Sequence, residues 1–320
     1  MRQSTLGLVS EYMQTSESMD LAETTREQKV RLFEGISTMF KYVDEFDANE
    51  YRLHLLKTGK KKVSVNSYVG MTRPIFRWAV RQDWIADDPF DGVRKFRIPQ
   101  ERIHVYKPCQ VEAILAVSTD LWRARVLAAV TAGLRRSEVL NLTLDDIDFE
   151  NCEITVQPKH DTQEKWEWYP KSKKYRVVPL VPKLYNLLVS KIIPSLPAGQ
   201  QYLMLTSKRH WDLQQQRPLT YRIRYCPDEN FTKPYQRHIS RANCTLFVTD
   251  RINNRTFHDL RRTCITGWTQ NRHLSPQEVQ ALAGHADIKT TMDYYAAVRD
   301  DVCRRAQPTF GATGLEPATS

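Results

Sequence analysis

Thr256-Phe257-His258-Asp259-Leu260-Arg261-Arg262-Thr263 is the stretch from which the rest of this 320-residue chain can be read. Residues three apart on a helix share a face, so a helix starting near His258 directs His258 and Arg261 at one object. Downstream, Ser275 followed by Glu278 has the form of a capping box and predicts a second helix. Gly284 predicts where that helix stops. A third helix, from about Asp287, carries Tyr294 and Tyr295. Three short helices thus deliver the imidazoles of His258 and His285, the guanidinium of Arg261 and a phenol. Arg grips two oxygens with a rigid fork. His moves protons near neutral pH, and Tyr can be a covalent nucleophile. Such an array suits a phosphodiester. Each piece alone fits an ordinary salt-bridged helix face or a packed aromatic; only the ordered combination carries the reading.

Partners lie upstream. Gly133-Leu134-Arg135 leads into Arg136-Ser137-Glu138-Val139-Leu140, a short helix on which Arg135 and Glu138 share a face, so the carboxylate can orient the guanidinium. The bland alternative is a common surface salt bridge. Helices are also predicted over 108–117, 121–132 and 182–193. Residues 152–157 and 165–169 have strand character, and Tyr175 to Leu180 returns as a strand after the basic turn Lys171-Ser172-Lys173-Lys174. Lysines at a hairpin tip can enter a nucleic-acid groove or simply solubilise a turn. Residues 199–250 interleave basic and aromatic side chains, which suits contact with a nucleic-acid backbone. His210, Cys226, His238 and Cys244 match no common zinc spacing, so no metal is expected.

Residues 1–86 read as all helical. Thr25-Arg26-Glu27-Gln28 has capping-box form, and Phe33, Ile36, Phe40 and Val43 recur at helical spacing. A further helix from about Ser64 turns Tyr68, Ile75, Phe76 and Ala79 inward, with Pro74 expected to kink or split it. Lys60, Lys61, Lys62, Arg77 and Arg81 are candidate phosphate contacts or a solvated face. Residues 87–107 read as a linker, 108–305 as a second domain, and 306–320 as a Pro-, Gly- and Thr-rich tail.

Composition agrees with this division. A length of 320 residues predicts about two domains, and 41% apolar residues suffice for real cores. A formal charge of +10 favours an acidic partner, nucleic acid first. Six scattered cysteines without a Cys-x-x-Cys argue against a disulfide framework or a zinc ribbon and fit a reducing compartment. No apolar run approaches the ~20 residues needed to span a bilayer, and no signal core is visible. The expectation is a soluble cytoplasmic protein with no membrane partner.

In this order, these residues resemble a tyrosine recombinase of the phage-integrase family. Gly133-Leu134-Arg135-x-Ser137-Glu138 is similar to the family's first arginine box. Lys171 to Leu180, with Arg176-Val177-Val178-Pro179-Leu180, resembles its β-hairpin lysine segment. His258-x-Leu260-Arg261-Arg262-Thr263 resembles its second box, and Leu282-x-Gly284-His285 with Tyr294 nine residues on resembles its last. The first domain resembles the family's core-binding domain more loosely, around Trp78-Ala79-Val80. The segment 199–250 has no clear counterpart.

The resemblance implies a mainly α chain: an all-helical, SAM-like core-binding domain, a linker, and a mainly α catalytic domain with a small antiparallel sheet. It implies site-specific recombination, in phage or mobile-element integration, through a 3′-phosphotyrosyl intermediate, with no metal, nucleotide or other cofactor. Tyr294 is then the nucleophile, His258 its base and Lys171 the acid for the 5′-oxygen. Arg135 and Arg261 clamp the phosphate, His285 hydrogen-bonds it, and Glu138 holds Arg135. Candidate DNA contacts are Lys60, Lys61, Lys62, Arg77, Arg81, Lys173, Lys174, Arg176 and Arg262. The implied partners are double-stranded DNA, a homotetramer formed on it with docking through about Ala296 to Arg305, and accessory DNA-bending or directionality proteins. The alternatives are a non-catalytic DNA-binding protein or a relaxing enzyme like topoisomerase IB.

Overall fold

The computed structural model describes residues 2–99 and 102–297. Residues 298–320 lie outside them, and with them the expected tail and most of the expected docking segment. The chain divides into two compact units, Met1–Glu101 and Arg102–Ser320.

The first unit is helical: α1 (Thr5–Tyr12), α2 (Ser16–Met19), α3 (Glu23–Ser37), α4 (Ala48–Lys57) and α5 (Lys62–Arg81). Its core joins Leu8, Phe33, Ile36, Val65, Ile75, Phe76 and Ala79. Phe46 stacks on Phe76 at 4.1 Å between ring centroids and touches Phe90 at 5.5 Å. Two expectations change. The third helix starts at Glu23, with no side-chain cap at Ala22, so Thr25 lies inside the first turn and caps nothing. Pro74 does not split α5, which runs unbroken for 20 residues. A proline costs a helix one N–H, the one that would serve Gly70, and Ile75, Phe76 and Ala79 beyond it are held in the core.

The stretch 87–107 divides between the units. Phe90 and Val93 are buried in the first core and Tyr106 in the second. Arg73 of α5 donates to the carbonyls of Phe90 and Val93 at 2.6 and 3.0 Å, fixing this chain to its own unit.

The second unit opens with α6 (Pro108–Ala116), α7 (Asp120–Thr131) and α8 (Arg136–Leu140). Three strands follow, β1 (Ile147–Asp148), β2 (Glu153–Val156) and β3 (Arg176–Pro179), in one antiparallel sheet ordered β1-β2-β3. Helices α9 (Pro182–Leu187), α10 (Ser207–Gln215), α11 (Tyr221–Tyr225), α12 (Thr232–Asn243), α13 (His258–Gln270), α14 (Pro276–Ala283) and α15 (Ile288–Ala297) complete it. Helices α7 and α13 pack on one another at its centre. The fold is mainly α with a small antiparallel sheet. The stretch 199–250 carries α10, α11 and α12 joined by loops; Tyr235, His238, Ile239 and Ala242 form the buried face of α12.

Residues 165–169 are not a strand. Trp168 makes one isolated bridge with Lys159. The alternation that reads as a strand buries Trp166 and Trp168 instead as plugs. Trp166 stacks on Tyr202 at 3.7 Å, and its Nε1 donates to Asn141 at 2.9 Å. Replacing Trp166 with Ala removes that stack and leaves the buried Asn141 acceptor without this donor. The expected loss, read by urea denaturation, is about 3–5 kcal/mol, with a smaller loss for Trp166→Phe.

Candidate functional site

The site is built where α14 ends. Ser275 caps this helix and Glu278 closes the capping box, as expected. Its C-cap, Gly284, has φ +62°, and a Cβ there would lie 3.1 Å from Cδ of Arg176. The last carbonyls of any helix lack intrahelical partners and carry the negative end of its dipole. Three of them here each meet a guanidinium. Arg176 donates through Nε to the Leu282 carbonyl at 3.0 Å, Arg261 through Nη2 to that of Ala283, and Arg135 through Nη2 to that of Gly284 at 2.9 Å.

Arg135 precedes α8, after a sharp turn at Gly133 with φ +64°. A Cβ on Gly133 would lie 2.7 Å from Cη2 of Trp268, so the turn and the close approach both require glycine. The Gly133 carbonyl accepts a hydrogen bond from Nη1 of Arg261, which ties the two arginine-bearing segments together. Glu138 is buried beneath. Its carboxylate accepts from Arg135 Nη1 at 2.8 Å and from Arg176 Nη1 and Nη2 at 3.0 and 2.6 Å. Burial alone would raise its pKa; the Arg176 hydrogen bond and charge, then Arg135 and Arg261, reverse this and hold it at about 2.

One carboxylate therefore answers three guanidiniums. The excess positive charge is felt nearby. Burial first, then Arg261, Arg135 and Arg176, lowers the His285 pKa to about 4. His258 sits at the rim with solvent on one side, and its pKa is also pushed down, by the protein around it and then by Arg261 and Arg262. Both rings are neutral at neutral pH. Nδ1 of His285 lies 3.0 Å from Oγ1 of the buried Thr291, which leaves Nε2 for a ligand.

Tyr294 is 7% exposed, its ring 5.9 Å from that of His285. Burial raises its pKa, while Arg261, Arg262 and Arg135, with a hydrogen bond from Arg262, pull the other way. Tyr295 faces elsewhere: its buried hydroxyl has no hydrogen-bond partner among the described residues, and the nearest charge acting on it is Glu278 of α14. A groove of about 420 Å³ opens beside these groups, lined by Arg135, Lys171 and His258 with Tyr225, Phe231 and Tyr235.

The structure thus gathers Arg135, Glu138, His258, Arg261, His285 and Tyr294, and brings exposed Lys171 to the same groove. The remaining basic candidates are scattered. Lys60, Lys61 and Lys62 are exposed at the start of α5, and Lys173 and Lys174 at the turn before β3. Arg77 and Arg81 pair on the surface with Asp88 and Glu17. Arg262 pairs with Asp259. Arg176 is buried, with both Nη groups on Glu138.

Sequence reading missed Thr291 and also Gln280, whose Nε2 donates to the His285 carbonyl at 3.1 Å. It missed Gly133 as a shape requirement, and at Gly284 it read the helix end but not the close approach of Arg176. A hydroxyl six residues after His285, in the motif already quoted, was the available signal. Among the described residues no group of three or more His, Cys, Asp or Glu side chains converges as metal ligands would.

Unfolding returns both imidazoles to an ordinary pKa of 6.5, so between there and about 4 the unfolded chain binds more protons. Stability is therefore expected to fall as pH drops through this window. Denaturation midpoints measured across it should fall, and sulfate, by offsetting the guanidinium charge, should flatten the fall. A rise on acidification would contradict the charge arrangement. Gly133→Ala should cost more than the roughly 1–2 kcal/mol of a left-handed Cβ, because Trp268 must also move.

Residues 105–301 match the phage integrase family and residues 6–98 the phage integrase SAM-like domain. The transposase of transposon Tn916 from Enterococcus faecalis is 24% identical over 269 residues, covering 78% of this chain. This chain spans 62% of that transposase's length. The tyrosine recombinase XerC of Chlamydia caviae is 24% identical over 252 residues, covering 76% of this chain and 70% of its own. Among solved structures, the Tn1549 transposon integrase in complex with transposon right end DNA has a TM-score of 0.69 at 19% identity, covering 95% of this chain and 100% of its own. A lambda integrase dimer bound to a COC′ core site has a TM-score of 0.64 at 15% identity, covering 92% and 77%. The arginine, hairpin and histidine boxes lie within a match that takes in nearly two thirds of the sequence, and this chain belongs to the phage integrase family.

Proposed function

We propose that the chain is a site-specific DNA recombinase that cuts and rejoins double-stranded DNA through a 3′-phosphotyrosyl link. The observation that carries this is the charge imbalance at the end of α14: three guanidiniums, one carboxylate, and two neutral imidazoles beside a phenol. Arg135 and Arg261 each retain N–H groups beyond those given to carbonyls and to Glu138, and these suit the non-bridging oxygens of a phosphodiester.

Tyr294 Oη attacks phosphorus, the bond to the 5′-oxygen breaks, and the phosphotyrosyl ester conserves the bond for rejoining. The phenolic proton passes to neutral His258, and Lys171 supplies one to the departing 5′-oxygen. An anion bound among the arginines cancels part of the charge that depresses His258, so the ring becomes a better base when substrate is present. Growing negative charge on the phosphorane is met by guanidiniums already in place.

The DNA-bound integrases among the similar structures support a duplex substrate, and a lambda integrase tetramer bound to a Holliday junction supports assembly of four chains on DNA. On α12, Gln236 lines the groove, and Lys233, Arg237 and Arg241 are exposed on the same helix.

The deciding experiment uses nicked duplexes that trap the covalent adduct. Tyr294→Phe should bind DNA and form none; Tyr295→Phe should form it at a rate near that of the unmodified chain. The opposite pattern would shift the nucleophile by one residue, and an adduct in both variants would remove it from α15. The adduct should form in excess chelator, and products joined from two duplexes should separate recombination from relaxation. DNA affinity should fall steeply with salt, as counterion release requires.

A further inference from the structure

We infer that Arg176 is a positioning residue for the phosphodiester chemistry, acting through Glu138 and the end of α14 rather than through contact with DNA. The inference rests on the recombinase reading above and adds a residue to it.

Arg176 is the first residue of β3, on the strand that follows the Lys171 turn. Its guanidinium lies flat against Gly284, where any Cβ would press on its Cδ. It is 7% exposed, and all three of its nitrogens are engaged by protein: Nη1 and Nη2 by the two Glu138 oxygens, Nε by the Leu282 carbonyl. It borders a groove with Lys173, Lys174 and His285, but its nitrogens are turned to Glu138 and Leu282.

What it does offer is connection. Glu138 has two oxygens, and Arg176 takes both in a fork-to-fork pair. This fixes the plane of the carboxylate. The same oxygens hold Arg135, Oε1 through its side chain and Oε2 through its backbone N–H at 2.7 Å. The carboxylate plane therefore sets the direction of the Arg135 guanidinium. At its other end Arg176 holds the carbonyl three residues before His285. One buried side chain thus ties the strand carrying the Lys171 turn, the first arginine and the segment carrying His285. Lysine cannot replace it, because an ammonium has no planar fork.

Arg176→Lys tests this. With the fork gone, Arg135 loses its fixed direction, and the adduct-forming rate at saturating nicked DNA should fall on the order of 10- to 100-fold, the scale expected for a misplacement of about 1 Å. DNA affinity should change less than about twofold, and the slope of log affinity against log salt should stay the same. Because lysine keeps the charge, the slope is also measured on Arg176→Gln, where a residue that touches phosphate would reduce it by about one. A duplex with a neutral methylphosphonate at the cut position has less need of the Arg135 charge, so the variant's deficit should shrink on it; a general loosening of the fold would leave the deficit unchanged. An unaltered rate, or a changed salt slope, overturns the inference.

Should Arg176→Lys fail to fold, the guanidinium N–H resonances of the unmodified chain decide. Those of Arg176 should stay slow to exchange and unmoved when DNA or sulfate binds, while those of Arg135 shift; movement of Arg176 onto the anion overturns it. If the unmodified chain forms no adduct at all, the recombinase reading falls by itself. The positioning role then stands or falls on sulfate affinity, which should drop about fivefold or more in Arg176→Lys.

Discussion

Everything at this site depends on how the last turn of α14 disposes of its carbonyls. A helix of eight residues ends with carbonyl oxygens that no backbone N–H reaches, and here arginine side chains take three of them in succession. Each arginine comes from a different segment, so satisfying one helix end gathers the strand β3, the turn before α8 and the helix α13 around a point. Local polar accounting and long-range assembly are the same event.

That solution is electrostatically costly, and the cost is informative. Charges removed from water need partners, yet among the described residues Glu138 is the one carboxylate paired with these guanidiniums. The arginines meet neutral carbonyls for the rest. Arg261 shows the consequence directly: burial and the nearby Arg135 push its pKa down. A guanidinium stays protonated under such pressure, so the tension appears instead in the rings beside it, whose protons are driven off. An anion relieves both at once. The site is charged in readiness, and selectivity for a negatively charged centre follows from the scarcity of carboxylates as much as from the arginines present.

The second half of the site was readable because its signals are local. Ser275 with Glu278, Gly284, and the three-residue step from His258 to Arg261 each depend on neighbours along the helix, and each takes the form read. The burial of Arg176 was not legible, for the opposite reason. On a strand after a lysine-rich turn it looks like one more surface cation, and its partner Glu138 is 38 residues away. Trp166 and Trp168 alternate as strand residues do, but their partners Asn141 and Tyr202 lie on other elements. The helices of 199–250 are short and their apolar positions are masked by interleaved basic residues: Thr206 and Thr220 cap α10 and α11, and Tyr235, Ile239 and Ala242 repeat at helical spacing along α12.

The plugged loop between β2 and β3 sets how Lys171 can travel. Trp168 is fixed on one side and Arg176 on the other, both buried, so the slack in the chain is limited to the few residues between. Lys171 is three residues from the first anchor. At about 3.5 Å per extended residue, its backbone can swing no farther than roughly 10 Å without pulling a tryptophan from the core. A short tethered loop of this kind samples its range in nanoseconds to microseconds. In the chemistry proposed above, Lys171 would come and go many times within each covalent step, and the rate would depend on the fraction of time it spends docked. Lys173 in that turn holds a left-handed conformation, φ +53°, so its backbone bears on how far the turn can swing.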